Sequence, residues 1–287
     1  MKENSDPMAS TDPPSDWAGT PRTLEAALER LTQREQELQA LRQAQQEWLH
    51  AVSHDLRAPL RHVLSFGPLV DELLGQAMPT PQDLQEAREF LRTMDQSARR
   101  MGGMLDGLLA LARAARTPLQ WQPVALQELL VQAQQAVLAR PQWAGLQGAQ
   151  PPRQVQWLLP PQCPAVRADA GLLRQVLEEL LDNALKFTGP VAQARIAVEV
   201  ERDADGGMAL NVTDNGVGFD PSRAGALFGI FQRMHRESEF PGLGMGLAMA
   251  RSIMRRHGGE ASIRAMPGSG CSVCLRWPGG EVRRTDR

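Results

Sequence analysis

Apolar side chains recur at helical spacing along the N-terminal third of the chain. Between residues 24 and 73 they are separated mostly by steps of three and four, which places them on one face of a coiled-coil helix. The heptad phase shifts once, between Leu38 and Leu41. A stretch bearing Gly and Pro at 75–82 then ends the pattern. We therefore predict one long helix from Thr23, with a coiled-coil segment at its start.

A second amphipathic helix is predicted from Asp83. Its apolar positions alternate in steps of three and four: Leu84, Ala87, Leu91, Met94, Ala98, Met101, Leu105, Leu108 and Ala112. Two such helices joined by a short loop cannot bury both apolar faces alone, whereas two copies of the chain can bury them in a four-helix bundle. We therefore expect a homodimer.

Short strand-like and helical segments alternate after residue 117. The predicted strands cover 120–126, 155–159, 164–168, 194–202, 207–213, 260–265 and 271–277, the helices 126–139, 170–187 and 244–257, and a loop 214–243. Helices on one face of a sheet define the α+β class. We predict an α+β protein in which a helical hairpin, forming a dimeric four-helix bundle, precedes an α/β-sandwich domain. The predicted boundaries are a disordered tail at 1–21, coiled-coil and dimerisation helices at 22–116, the α/β-sandwich at 117–280 and a tail at 281–287.

The composition is that of a globular protein with no preference for a charged partner. Of the 287 residues, 42% are hydrophobic and 22% charged, and the formal net charge is −2. The lack of a basic excess argues against nucleic acid and anionic membranes as partners. No apolar run is long enough to span a bilayer, and the acidic start does not resemble a signal peptide. We therefore expect a cytoplasmic protein without a membrane segment.

Two residue pairs have metal-ligand spacing, and both have a simpler explanation. Cys271 and Cys274 form a C-x-x-C within a predicted strand, where residues three apart point to opposite faces. A structural zinc site needs four convergent ligands, and the chain has three cysteines in all. His50 and His54 lie four apart on the first helix, yet no carboxylate–histidine pattern of a metalloenzyme surrounds them. We predict a metal site at neither pair.

Four motifs follow one another at residues 53–60 (SHDLRAPL), 180–188 (LLDNALKFT), 213–219 (TDNGVGF) and 242–250 (GLGMGLAMA). In this order they resemble the phosphoacceptor, asparagine, first-glycine and second-glycine motifs of sensor histidine kinases of two-component systems. The first motif resembles the phytochrome-like subgroup. The four together are far more specific than any one alone. The resemblance implies that residues 117–280 form the ATP-binding fold shared with gyrase, Hsp90-type chaperones and mismatch-repair ATPases.

The resemblance implies that His54 accepts the γ-phosphoryl group of ATP and that Asp55 is the general base. A neutral imidazole is a competent nucleophile, and an adjacent carboxylate can accept its proton or hold its tautomer. Pro59 lies in the same predicted helix, which its ring and missing N–H are expected to bend. Taken singly, His54 could also be an ordinary solvated histidine.

In the asparagine motif, the resemblance implies that Asn183 coordinates Mg²⁺ bridging the phosphates and that Lys186 contacts phosphate. The two residues are three apart and so share one helical face. Phe187 could line the adenine pocket or belong to the core. Glu179 departs from the family, whose members usually carry Asn there. Glu179 could bind Mg²⁺, or it could activate water and raise the hydrolysis of ATP.

The glycine motifs are expected to surround the nucleotide. The resemblance assigns adenine recognition to Asp214, because a carboxylate can accept a hydrogen bond from an amine. Gly216 and Gly218 permit tight backbone turns beside the base. Three further glycines stand at a predicted helix start: Gly242, Gly244 and Gly246. Backbone N–H groups and the helix dipole at such a place suit phosphate.

The segment between the two glycine motifs is expected to form a mobile lid over ATP. It contains LFGIFQRMH, which resembles the phenylalanine motif of the family. Phe228 and Phe231 would be apolar anchors, although core packing explains them equally well. Arg233 is expected to neutralise charge on the γ-phosphate during transfer.

The function that the resemblance implies is an ATP-dependent histidine autokinase that passes the phosphoryl group from His54 to an aspartate of a response-regulator partner. The stretch before His54 is too short for a sensing domain, so we expect the stimulus to arrive through a partner or another part of a longer protein. Two alternatives stay open. A degenerate dimeric scaffold would signal by docking alone, which the intact motif residues disfavour. An ATPase or serine kinase on the same fold would use Glu179 but would need no phosphoacceptor helix.

Overall fold

The computed structural model describes residues 24–143, 153–202 and 207–277. The predicted tails at 1–21 and 281–287 lie outside the described residues. The chain divides into two compact units, one ending at Ala51 and the other beginning at Val52.

The first helix, α1 (Leu24–Leu74), confirms the prediction of one long helix and continues through the phase shift of its heptads. The first compact unit consists of its N-terminal part. There Leu28, Leu31 and Leu38 are more than half exposed. These three positions of the predicted coiled-coil face are therefore exposed to solvent in a single chain. Pro59 is buried within α1, and the helix continues beyond it.

The second helix, α2 (Pro81–Arg116), begins two residues before the predicted start at Asp83. Thr80 and Asp83 form a capping box: the Thr80 hydroxyl accepts the Asp83 N–H at 3.2 Å, and the Asp83 carboxylate accepts the Thr80 N–H at 2.8 Å. Proline is well suited to the first helical position because its missing N–H is not needed there. The apolar pattern alone missed this cap.

The C-terminal part of α1 and all of α2 form a helical hairpin with one open face. Phe66 stacks on Phe90 with ring centroids 4.9 Å apart, and Ala87 and Met104 are buried. A row of α2 that repeats every seven residues is exposed: Leu84, Leu91, Ala98, Leu105 and Ala112. This exposed heptad row contains five of the nine predicted apolar positions, and a single chain leaves it in contact with solvent.

The α/β part contains seven strands and three helices among the described residues. They are β1 (Gln122–Ala125), α3 (Leu126–Leu138), β2 (Gln154–Leu158), β3 (Ala165–Ala168), α4 (Ala170–Phe187), β4 (Gln193–Arg202), β5 (Met208–Asp214), α5 (Gly246–Arg256), β6 (Glu260–Met266) and β7 (Gly270–Trp277). Short 3-10 helices span Pro141–Trp143 and Pro221–Phe228. The second corrects the prediction of a loop over all of 214–243, and it begins where the Asp220 carboxylate accepts the Ser222 N–H at 2.9 Å.

The strands form a mixed five-stranded sheet in the order β2-β4-β5-β7-β6, and β1 pairs with β3 in a separate antiparallel ribbon. β2 runs parallel to β4, and all other neighbours are antiparallel. The helices α3, α4 and α5 contribute to one core cluster with the sheet. The α+β class with an N-terminal helical region is therefore confirmed.

The apolar stripe of α4 anchors the core. Its buried residues are Leu173, Val176, Leu177, Leu180, Leu181, Ala184 and Leu185. Burial of one leucine side chain contributes roughly 2 kcal/mol to the free energy of folding. Because α4 is fixed in this way, the polar residues on its other side are held on a rigid support.

The linker between α2 and β1 is tied to the α/β part. The Arg256 guanidinium, in the last turn of α5, donates to the backbone carbonyls of Ala114 and Thr117. The Gln120 N–H donates to the Asp169 carboxylate at 3.0 Å, and the Asp169 side chain also caps the start of α4. The linker is therefore held by both α4 and α5.

Cys271 and Cys274 both lie on β7, as predicted. Cys271 packs against the core cluster, and Cys274 falls on the other face by strand alternation. Within the described ranges, no group of three His, Cys, Asp or Glu side chains is placed to hold a metal ion. Likewise, none of the described helices has a stretch long and apolar enough to cross a bilayer.

Candidate active site

A cavity of about 1020 Å³ lies between α4, the inner ends of β5 and β7, and the segment before α5. We call residues 229–245 the lid segment. The cavity gathers most of the predicted site residues: Glu179, Asn183, Lys186, Phe187, Asp214, Gly218, Arg233, Gly242, Gly244 and Gly246. Gly216 adjoins it, and His54 and Asp55 lie apart on α1. Volumes of this order accommodate small-molecule ligands and cofactors.

The polar face of α4 forms one wall of the cavity. Lys186 Nζ donates to Asn183 Oδ1 at 2.9 Å, which joins the two residues that sequence analysis placed on one face. Burial lowers the pKa of Lys186, while the Asp182 and Glu179 carboxylates act in the opposite direction. Both residues therefore present polar groups into a partly desolvated space, where charge interactions are strong.

Asp214 ends β5 at the floor of the cavity and is only 8% exposed. Burial raises its pKa to about 6, against the opposing effect of the backbone N–H groups of Gly216 and Cys271. The Gly216 N–H donates to Asp214 Oδ1 at 2.8 Å. A side chain at Gly216 would lie 2.5 Å from the Phe187 carbonyl oxygen, so glycine is required for this close approach.

Glu179 lies deeper along the same wall, beside the start of α5. A Cβ built on Gly246 would be 2.6 Å from Glu179 Oε2 and 3.3 Å from Asn183 Nδ2. Burial raises the pKa of Glu179, and the Arg140 guanidinium, 3.9 Å from its Oε1, acts in the opposite direction. The carboxylate and the amide thus meet at a helix N-terminus, with glycine allowing the contact.

Sequence analysis did not identify Arg140 as a neighbour of this wall. Its guanidinium lies 3.5 Å from Glu178 and 3.2 Å from Asp182. Asp182 Oδ1 also accepts the Trp143 indole N–H at 2.7 Å. Nothing in the local sequence pairs the end of α3 with α4, because this contact joins residues far apart in the chain. The cluster holds Trp143 and Asp182, which both line the cavity, in place.

Arg233 lines the cavity, as predicted, but its guanidinium is already bound. It donates to the backbone carbonyls of Phe240 and Gly242 and lies 3.7 Å from the Glu237 carboxylate. Glu237 is also paired with Arg100 of α2. In this structure Arg233 therefore shapes the lid segment and is connected to the helical hairpin through Glu237.

Three aromatic rings meet on the lid side of the cavity. The centroid of His235 is 5.7 Å from that of Phe187 and 5.1 Å from that of Phe240, and the two phenylalanines are 5.1 Å apart. Phe187 belongs to α4, so the lid segment is packed against the predicted adenine-pocket residue. His235 had no predicted role, because a single histidine in a loop gives no spacing signal.

Gly218 and Gly244 take left-handed backbone conformations, with φ of 60° and 72°. Phe231 is the one non-glycine residue with positive φ among the described residues, at 58°. Such a conformation costs on the order of 1 kcal/mol or more for a bulky residue. The strained residue lies in the lid segment, at the contact with the helical hairpin.

A second apolar cluster joins the lid segment to the helical hairpin. Its buried members are Met104, Ile230, Phe231, Met245 and Ala248, with Val52, Leu56, Leu108, Leu111 and Leu243 packed around them. Phe228 belongs instead to the main core. A Cβ at Gly103 would lie 2.9 Å from Leu243 Cδ1, and one at Gly107 would lie 3.2 Å from Met245 Cγ. The two glycines of α2 therefore form a notch that admits these side chains.

His54 is on α1 with 75% of its side chain exposed. Its Nδ1 lies 3.0 Å from Asp55 Oδ1. When Nδ1 carries the proton and donates to this carboxylate, Nε2 keeps its lone pair and faces away from the bond. The pair thus presents a free imidazole nitrogen to solvent.

Two family descriptions match the chain. "His Kinase A (phospho-acceptor) domain" matches residues 44–117, and "Histidine kinase-, DNA gyrase B-, and HSP90-like ATPase" matches residues 168–281. The first covers His54 and the helical hairpin. The second covers α4 and the elements that follow it.

Several curated relatives are similar over most of this chain. The chain is 31% identical to Sensor protein KdpD of Escherichia coli over 87% of this chain and 26% of that protein. It is 31% identical to Adaptive-response sensory kinase SasA of a Synechococcus species over 78% of this chain and 57% of that protein. Phytochrome-like protein Cph1 of Synechocystis is 28% identical, over 82% and 29% respectively. The chain spans about a third or less of the first relatives matched.

The fold also matches a solved structure. Histidine kinase ThkA, in a complex with response regulator protein TrrA, is similar over 90% of this chain and 67% of that chain, with a TM-score of 0.58 and 18% identity. At this identity the likeness concerns the fold.

Proposed function

The chain belongs to the sensor histidine kinases, and on this premise we propose that it is an autokinase that transfers the γ-phosphoryl group of ATP to His54. The observation that carries the proposal is that one cavity gathers an amide, a lysine, a buried carboxylate and a glycine-flanked helix start, while an exposed histidine lies on α1 beside a half-buried aspartate. A nucleotide needs the first set, and a phosphoryl acceptor needs the second.

The chemistry follows from the geometry at each end. Nε2 of His54 attacks the γ-phosphorus, and the bond to the oxygen bridging the β- and γ-phosphates breaks as ADP leaves. Asp55, bonded to Nδ1, stabilises the positive charge that develops on the ring. Lys186 and the N-terminal backbone of α5 face the phosphates and offset their charge.

Asn183 and Glu179 offer a fitting pair of oxygen ligands for Mg²⁺. They are four apart on α4, where Glu179 Oε2 and Asn183 Nδ2 both approach Gly246, while Asn183 Oδ1 accepts from Lys186. Magnesium commonly takes one or two protein oxygens together with the phosphates, so the Asn183 oxygen would exchange Lys186 for the ion. The ion would supply charge neutralisation at the β- and γ-phosphates. Asn183 and Glu179 would hold it, and Lys186, released from Asn183 Oδ1, would contact phosphate.

Asp214 gives this proposal a pH dependence. As a carboxylate it accepts a hydrogen bond from the adenine amine, and with a pKa of about 6 it gains a proton as the pH falls. We expect nucleotide affinity to decrease between about pH 8 and pH 5, with most of the change near 6. Titration calorimetry with ADP at a series of pH values measures this.

The matched variant is Asp214→Asn, which cannot titrate. Its affinity should be weaker at pH 8 and nearly constant across the series. The free energy of unfolding of the ligand-free wild type should change with pH in the direction opposite to nucleotide affinity. Because the pKa of Asp214 is raised in the folded state, that state binds more protons than the unfolded state, and stability rises as the pH falls from 6 toward 4. A wild-type affinity that is flat with pH would contradict the adenine role.

A response regulator is the proposed partner. The phosphoryl group on His54 would pass to an aspartate of its receiver domain, as the membership in this family implies. The exposure of His54 supports this second transfer, because an acceptor must approach the ring directly.

We also infer that the chain forms a homodimer through the exposed heptad row. Leu91 is 47% exposed and Leu105 51% exposed on this row, and a partner helix would bury both. Sedimentation velocity at micromolar concentration should show a dimer. The Leu91→Glu, Leu105→Glu double variant should be a monomer, because each change places a charge in the interface.

Leu138→Glu is the matched control for the dimer. Leu138 is 38% exposed but lies on α3, away from the helical hairpin, and its variant should stay dimeric. A wild-type chain that sediments as a monomer would refute the bundle.

A second candidate activity is hydrolysis of ATP, and Glu179 is the observation that favours it. Burial raises the pKa of Glu179 inside the cavity, as is typical of a general base. Incubation with γ-labelled ATP separates the two activities. A label on the protein that is stable in base and lost in acid indicates phosphohistidine. Labelled phosphate in solution, with no label on the protein, would indicate an ATPase instead.

A further inference from the structure

One contact joins the lid segment to the first glycine motif across the cavity lining. His235 Nε2 lies 2.9 Å from the backbone carbonyl oxygen of Gly218. A carbonyl oxygen carries no proton, so the imidazole N–H must be the donor. Gly218 belongs to the first glycine motif and His235 to the lid segment, and both line the cavity. The bond therefore links the lid segment to another part of the cavity lining.

The acceptor side of this contact is rigid. Gly218 has a φ of 60°, and a side chain there would collide with the carbonyl oxygens of Met266 and Gly270. The neighbouring Val217 carbonyl accepts the Gly268 N–H at 2.7 Å. The turn between β6 and β7 thus supports the backbone at Gly218, whose carbonyl is a fixed acceptor for the lid segment.

The donor side is oriented by packing. The His235 ring packs against both Phe187 and Phe240, and Phe240 is buried. A ring held by two aromatic neighbours loses little further freedom when it forms a hydrogen bond. The bond is consequently stronger than that of a freely rotating side chain.

The cavity retains its volume of about 1020 Å³ while this contact is made. A ligand of nucleotide size therefore has space without displacing His235. We propose that His235 is a positioning residue that closes the lid segment over bound nucleotide and slows its release, by donating to the Gly218 carbonyl. This rests on the proposed function only in that the ligand is a nucleotide.

The test is the rate at which a fluorescent ADP, with its dye on the ribose, leaves the full chain when excess ADP displaces it. His235→Phe keeps an aromatic ring but has no donor. We expect its dissociation rate to rise on the order of 5-fold, the effect of losing one neutral hydrogen bond, with an unchanged association rate. His235→Gln retains an N–H donor and should restore a rate close to wild type.

His62→Phe is the matched control, since His62 is a histidine of the helical hairpin whose Nδ1 lies 3.5 Å from the Ser97 hydroxyl. Its dissociation rate should equal that of wild type. If His235→Phe does not fold, Phe240→Leu replaces it, because loss of the supporting ring should also speed release.

Three results would overturn the inference. The first is a wild-type dissociation rate in His235→Phe, or in Phe240→Leu where that variant takes its place. The second is a faster association with unchanged dissociation, which would mean that the contact closes the empty cavity. The third is a wild-type chain that does not bind the labelled ADP, which would refute the proposed function as well.

Discussion

His54→Gln is expected to abolish incorporation of the γ-phosphoryl group into the chain, by more than roughly 100-fold, because no other side chain occupies the nucleophile's position. Nucleotide binding should be unchanged, since His54 lies on α1 and is not among the residues that line the cavity. The measurement pairs the initial rate of labelling from γ-labelled ATP with an ADP titration of the same sample.

His50→Gln is the matched control for this variant. His50 is an exposed histidine one helical turn before His54, so the change is the same and only the position differs. It should be labelled at the wild-type rate. Asp55→Asn should show reduced labelling of His54, because it weakens the bond that orients Nδ1. Persistent labelling of His54→Gln would refute the phosphoacceptor assignment.

Asn183→Ala is expected to reduce autophosphorylation on the order of 100-fold, the effect typical of removing one electrostatic contact to the transition state. The change removes an oxygen proposed to bind Mg²⁺. It also removes the acceptor that holds Lys186 at 2.9 Å. We expect this variant to lose most of the gain in ATP affinity that Mg²⁺ gives, and to autophosphorylate more slowly at saturating ATP.

Binding of ATP with and without Mg²⁺ separates this explanation from a general structural defect. The wild type should gain affinity when Mg²⁺ is added, and Asn183→Ala should gain little. Asn211→Ala is the matched control, because Asn211 lies on the face of β5 opposite to that of Asp214. This variant should behave as the wild type in both conditions. An Asn183→Ala variant with a normal magnesium effect would assign the metal to other residues.

The apolar periodicity of the sequence predicted those helices and strands whose bounds are set by the apolar residues themselves. The bounds of α4 agree with the prediction, because an apolar stripe over Ala170–Phe187 coincides with the cap at Asp169. The start of α2 was missed, since Thr80 stabilises it by a polar cap outside the apolar repeat. The 3-10 helix over Pro221–Phe228 was missed for a similar reason, as its Asp220 cap carries no helical periodicity.

Contacts between distant segments could not be predicted from one sequence. Arg140 pairs with α4, and the His235 imidazole meets Gly218, although no spacing rule relates these positions. The motifs predicted which residues share the cavity, but not that the Arg233 guanidinium is bound to carbonyls of the lid segment. Such details depend on how the lid segment folds back, which tertiary packing decides.

Leu243 belongs to two sites at once. Its flanking residues, Gly242 and Gly244, line the cavity, while its own side chain lies in the notch at Gly103. Any rearrangement of these glycines around a ligand's phosphates must therefore change how Leu243 sits against α2.

Linkage requires the converse. If the ligand weakens this apolar contact by a given factor, formation of the contact weakens ligand binding by the same factor. Ligand binding in the cavity and packing of Leu243 against α2 are then thermodynamically coupled. A signal that rotates α2 would therefore change nucleotide affinity, although the residues that line the cavity stay the same.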